Sequence, residues 1–147
     1  MNRTVALASV AVLILLTSSV TAQQADVWVG TLSNEWELGQ NWLDDTVPIP
    51  TDDVIVDVAP PRHPILSKSD QAAGVVTIGE SMLGQLDVLP TGVLDAERFI
   101  VGAGSSAVGE LNVSGIVTTG RAADSLVLAR DFGASGTFTL SLNGEWL

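Results

Sequence analysis

No cysteine occurs among the 147 residues. That removes disulfide staples and thiolate metal sites together, and leaves stability to packing or to a bound ion. Histidine occurs once, as His63, between Arg62 and Pro64 in a proline-rich segment. A lone, exposed loop histidine reads as structural, and without cysteine it supports neither a zinc or copper site nor Ser-His-Asp or Cys-His catalysis. Basic residues are scarce too: six Lys and Arg stand against 17 Asp and Glu, and they are scattered. Such a chain repels phosphate backbones and anionic headgroups, so nucleic acid is not expected as a partner. Beyond residue 22 no apolar run approaches the roughly 18 residues of a transmembrane helix. Nor does any window there place apolar residues at i, i+3, i+4 and i+7 without an interrupting Gly or Pro, which argues against long helices.

What the sequence does contain begins with a leader. Asn2 and Arg3 precede the apolar run from Val5 to Leu16, and Val20-Thr21-Ala22 supplies small residues where a signal peptidase reads. Residues 1–22 therefore read as a secretory signal peptide, and the chain as exported to the periplasm, cell surface or medium. With Arg3 removed, residues 23–147 form one domain with five basic residues and a net charge of −12.

The mature chain is a succession of short β-branched or Leu-containing segments between Gly, Ser, Asp and Pro, which predicts an all-β fold. Residues 26–58 hold three tryptophans and the alternating strand Val54-Ile55-Val56-Asp57-Val58. Residues 59–73, with Pro60-Pro61 and Pro64, read as a loop. From residue 74 the chain repeats. Gly84-Gln85-Leu86-Asp87-Val88 recurs as Gly109-Glu110-Leu111-Asn112-Val113 and as Gly136-Thr137-Phe138-Thr139-Leu140. Val76-Thr77-Ile78-Gly79 recurs as Phe99-Ile100-Val101-Gly102 and Leu126-Val127-Leu128-Ala129; Gly92-Val93-Leu94 recurs as Gly115-Ile116-Val117 and Gly144-Glu145-Trp146. Three strand types in constant order predict a β-solenoid of three coils starting near residues 74, 98 and 125. Leu86, Leu111 and Phe138 should form one internal column, as should Val88, Val113 and Leu140. Gln85, Asp87, Glu110, Asn112, Thr137 and Thr139 should face outward. A β-sandwich is the rival arrangement, but it requires no such register.

Trp28-x-Gly30, Trp36, Gly39-x-Asn41-Trp42, Pro48 and Asp52-Asp53-Val54-Ile55-Val56, followed by the G-x-L-x-V repeats, resemble the N-terminal part of bacterial exported proteins of the autotransporter-passenger type. Similar segments occur in exported proteins bearing a PEP-CTERM sorting signal. The resemblance implies a short right-handed parallel β-helix whose tryptophan-rich start covers the first coil. Such proteins usually continue into further coils and an anchor, so the chain is expected to be a piece of a longer protein or a short relative. In either case its last coil would be left to associate end to end.

Candidate functional residues are few. Trp28, Trp36 and Trp42 would be a sugar-stacking platform if exposed, and a cap closing the solenoid interior if buried. Asp44, Asp45, Asp52, Asp53 and Asp57 are the best set for a hard cation, calcium above all, although they match neither the EF-hand nor the nonapeptide spacing. Gly79-Glu80-Ser81-Met82-Leu83-Gly84 departs from the nucleophile-elbow spacing, and Gly102-Ala103-Gly104-Ser105-Ser106 lacks the Lys-Ser/Thr of a phosphate loop. Asn112-Val113-Ser114 fits a glycosylation sequon, but on a strand. No catalytic set is expected. The function anticipated is a structural or adhesive module of a surface protein, meeting a surface polysaccharide or protein. The alternatives are a carbohydrate-binding module and a polysaccharide lyase or hydrolase built on a β-helix.

Overall fold

The computed structural model describes residues 25–120, 125–141 and 145–147; the expected signal peptide, residues 1–22, lies outside them. The described chain is a parallel β-solenoid of about four turns, with one short 3-10 turn at Gly39–Asn41 and no α-helix among the described residues. The strands are β1 (Asp26–Val27), β2 (Val54–Val56), β3 (Ile65–Leu66), β4 (Gln71–Ile78), β5 (Leu83–Val88), β6 (Val93–Val101), β7 (Val108–Val113), β8 (Ile116–Thr119), β9 (Leu126–Leu128), β10 (Ser135–Leu140) and β11 (Glu145–Trp146). One sheet runs β1-β2-β4-β6-β8-β11, with β9 alongside β6; the other runs β10-β7-β5-β3.

The repeat registers are those expected. Leu86 lies beside Leu111, which lies beside Phe138, and Val88, Val113 and Leu140 follow two residues on. Val76, Phe99 and Leu126 form a third column, and Val93, Ile116 and Glu145 pair in the last strand type. Leu86, Leu111, Val88, Val113, Val76 and Phe99 are fully buried by the turns on either side, whereas in the last described turn Phe138 and Leu126 are half-buried and Leu140, expected inside, is exposed; complete burial of one leucine such as Leu111 contributes about 2 kcal/mol.

The stack begins earlier than the repeat suggests. Val54–Val56 pairs with Val76–Ile78, so this strand of the expected cap extends the third column by one turn. The expected loop at residues 59–73 is corrected likewise: it contains β3, which pairs with Asp87-Val88, and the start of β4, where Gln71–Ala73 pairs with Leu94–Ala96. Pro60, Pro61 and Pro64 all precede β3, so neither strand loses an amide to proline.

Glycine heads every G-x-L-x-V unit because two backbones meet there. Gly79 N–H donates to Val56 O, Gly102 N–H to Ile78 O, and Ala129 N–H to Val101 O, at 2.8, 2.8 and 2.9 Å. These bonds join one corner to the turn before it. Gly84, Gly109 and Gly136 lie directly over them, so that a Cβ at any of the three would come within 3.0 Å of both the donor and the acceptor. The donors themselves occupy left-handed backbone, with φ of 70° at Gly79, 77° at Gly102 and 55° at Ala129. Only the last carries a side chain there, at a cost of about 1 kcal/mol.

Candidate functional site

The N-terminal cap is built on tryptophan. Trp28, Trp36 and Trp42 are 0–1% exposed and belong to the same apolar core as the columns. Trp42 meets Trp28 and Trp36 edge to face, with centroids 5.1 and 4.7 Å apart. Its indole N–H donates to Trp36 O, that of Trp28 donates to Arg62 O, and that of Trp36 is buried without an acceptor. The sugar-stacking reading of these three is corrected accordingly: no ring face is open to a ligand, because each seals the end of the apolar interior. Asn41, also buried, braces the cap. Its Oδ1 accepts from the amides of Leu32 and Ser33, and its Nδ2 donates to Ser33 Oγ and Glu35 O.

The five aspartates expected to hold calcium do not converge; among the described residues no three carboxylate or histidine side chains form a metal-ligating group. Asp57 accepts from the amides of Glu80 and Ser81 and from the Ser81 hydroxyl, and Asp53 accepts from the amide of Val75. Both tie the first turn to the second. Asp52 accepts from the Ile49 amide, Asp44 from the Thr46 amide and hydroxyl, and Asp45 occupies a turn at φ 62°. Proximity in sequence reflects repeated use of aspartate as a turn acceptor.

Asp44 is the exception, because it meets a second acid, Asp26, which lies outside the expected ligand set. Trp28 and Trp42 pair in antiparallel fashion and Leu43 N–H donates to Val27 O, so two residues further along each segment Asp26 stands opposite Asp44. Asp26 also lies beside Val54, at the head of the inward column that continues through Val76 and Phe99. A carboxyl thus occupies an apolar position; it is 9% exposed and its Oδ2 has no hydrogen-bond partner. Burial, then repulsion from Asp44 and Asp52, then a hydrogen bond shared with Asp44 push its pKa up to about 6. Asp44 moves the other way, held below the usual carboxylate range chiefly by the Thr46 hydroxyl. A cavity of about 280 Å³ lined by Ala25, Asp26, Val27, Leu43 and Asp44 adjoins the pair.

These directions give a testable pH dependence. Asp26 binds its proton more tightly folded than unfolded, so its contribution is complete below about pH 4 and is lost as pH rises through about 6. The loss is about 3 kcal/mol. In metal-free buffer, Asp26→Asn should be more stable than the parent at pH 7 by about that amount and should flatten the pH 4–6 limb of urea-denaturation midpoints. Equal midpoints for both proteins at pH 7 would count against the assignment.

A second polar cluster lies on the outer face of the other sheet. His63 is buried rather than exposed, which corrects the expectation for it. Its Nε2–H donates to Asp87 Oδ2 at 2.9 Å, while Gln85 and Asn112 donate to Oδ1, each at 2.9 Å. Burial would raise the Asp87 carboxyl, but the donors from Asn112, Gln85 and His63 outweigh it and hold its pKa below the ordinary value. The second ring nitrogen of His63 is buried without a partner, and the network fastens the proline-rich segment to the stack.

Comparison with known protein families, with curated proteins and with solved structures finds no match to the chain. Among the described residues no helix is long and apolar enough to cross a membrane.

Proposed function

We propose that this chain is a non-catalytic structural or adhesive module of an exported bacterial surface protein. The observation that supports it is the outer face of the second sheet. Gln85, Glu110 and Thr137 form one row and Asp87, Asn112 and Thr139 the next, each residue pairing with its equivalent in the adjacent turn. At about 4.8 Å per turn this is a regular polar grid. A flat array of donors and acceptors suits an extended polysaccharide or protein strand better than a small enclosed substrate. The carbohydrate-binding alternative rests on the same grid, since the tryptophans are buried.

Retention of the protein on immobilised acidic and neutral surface polysaccharides and on matrix proteins tests the reading. Binding to one of them, reduced at least tenfold by Gln85→Ala, Glu110→Ala and Thr137→Ala together, supports it. Turnover of any polysaccharide overturns the non-catalytic assignment, and failure to bind any surface overturns the adhesive one.

Self-association through the last described turn belongs to the same proposal, with a second copy as the partner. Both N-terminal sheet edges are covered, β1 by the segment 41–43 lying antiparallel to it and β3 by Glu35 bridging to Ile65. At the opposite end Leu128 is 43%, Leu140 49% and Phe132 100% exposed. Light scattering from micromolar concentration upward should show growth in mass that Leu140→Asp abolishes. Mass that is constant for the parent chain would refute this contact.

A further inference from the structure

We propose that the Asp26–Asp44 pair, on the outer edge of the first sheet, is a binding site for a hard divalent cation, calcium rather than magnesium. A carboxylate placed among apolar groups must be paired with a cation, bound to a metal, or protonated. Among the described residues the side-chain ion pairs are His63–Asp87 and Arg130–Asp131, and neither reaches Asp26. Its neighbours are acids, Asp44 directly opposite and Asp52 close by, and its own Oδ2 is buried with no donor. Like charges facing each other across an antiparallel pair are destabilising, so the fold sustains an unfavourable contact that a cation would reverse. The cap forces this contact: the Trp28–Trp42 pairing that seals the core brings the two aspartates together.

The chemistry of the donors selects the ion. Both side chains offer only oxygen, which suits calcium and magnesium and disfavours softer metals. Two carboxylates cannot fill a calcium shell of six to eight oxygens, and water from the adjoining cavity of about 280 Å³ completes it. Magnesium can also bind through two carboxylates, but it gives up its waters reluctantly and holds a rigid octahedron, whereas the Asp26 carboxyl, buried among apolar groups, must contact the ion directly, which the flexible calcium shell allows more readily. So few protein ligands place the affinity near 10⁻⁴–10⁻³ M, the range of extracellular modules. The bound ion would clamp β1 to the segment following Trp42 and so lock the cap on the stack.

The test uses the whole exported chain, stripped of metal, at pH 7.4. Calcium chloride to 10 mM should raise the melting temperature by about 3–6 °C with saturation. Magnesium should do markedly less. Asp26→Asn should melt higher than the parent without metal and gain nothing from calcium, whereas Asp70→Asn, at an exposed turn, should keep the full response. Terbium luminescence excited through the tryptophans should appear in the parent, be displaced by calcium and be absent in Asp26→Asn. Binding should weaken at least tenfold at pH 5, where the proton competes. A calcium response retained in Asp26→Asn, or none in the parent up to 10 mM, overturns the site. In the latter case the higher melting point of Asp26→Asn would assign the pair to proton sharing alone.

Discussion

Gly109→Ala should destabilise the protein by about 3 kcal/mol or more, although it adds a single methyl group to a strand. The added carbon has no free space. It would press on Ile78 O and on Gly102 N, the two ends of the hydrogen bond joining the second corner to the third, and on a methyl of Val101. Two of these neighbours are backbone, which cannot rotate aside. The strand must therefore lift from the corner, losing that bond and loosening Leu111 between Leu86 and Phe138. Urea denaturation should show a midpoint far below the parent's, or no folded baseline. Gly120→Ala is the control: its added carbon would meet Glu97 O at 3.1 Å, a contact that a few tenths of an ångström relieve. If both variants unfold at the same midpoint, the corner contact is not what requires glycine.

Trp42→Ala should cost about 4–5 kcal/mol, the upper range for loss of a buried tryptophan. Trp42 lies between two other indoles, so its removal breaks both edge-to-face contacts and the N–H bond to Trp36 O. The remaining rings then line a cavity at the very end of the core. Trp42→Phe keeps one aromatic face and should lose roughly half as much. Near-ultraviolet circular dichroism should collapse in the alanine variant while the far-ultraviolet β signal persists, because the stack below retains its pairing. A shift of less than about 1 kcal/mol would mean that the cap is not part of the cooperative core.

How far these features can be read from the sequence depends on how local their causes are. The columns Leu86–Leu111–Phe138 and Val76–Phe99–Leu126 were legible because stacking imposes the same alternation on each turn and the same glycine at its head. Val54–Val56 and Ile65–Leu66 belong to the same stack without carrying the G-x-L-x-V signature. Their pairing is dictated by the exposed edge of the next turn, which sequence patterning does not record. The burial of His63 is invisible to local patterning for a similar reason, since its partner Asp87 lies 24 residues away. The spacing of the aspartates near residues 44–57 suggests one ligand set, whereas Asp44, Asp52, Asp53 and Asp57 each accept from a different amide and only Asp44 faces Asp26. Asp26 was the hardest to see. A charge at an inward position contradicts the alternation used to find inward positions, and only its register with Val54 shows where it points.

The hydrogen bonds between turns have a mechanical consequence. In both sheets they run along the stacking axis, from each strand to its equivalent in the next turn. Tension applied along that axis loads them lengthwise. The turns then open one after another, beginning where fewest neighbours hold them, at β10 and β9. Opening that starts there reaches the sealed tryptophan end last, because that end shares one apolar core with every turn it passes.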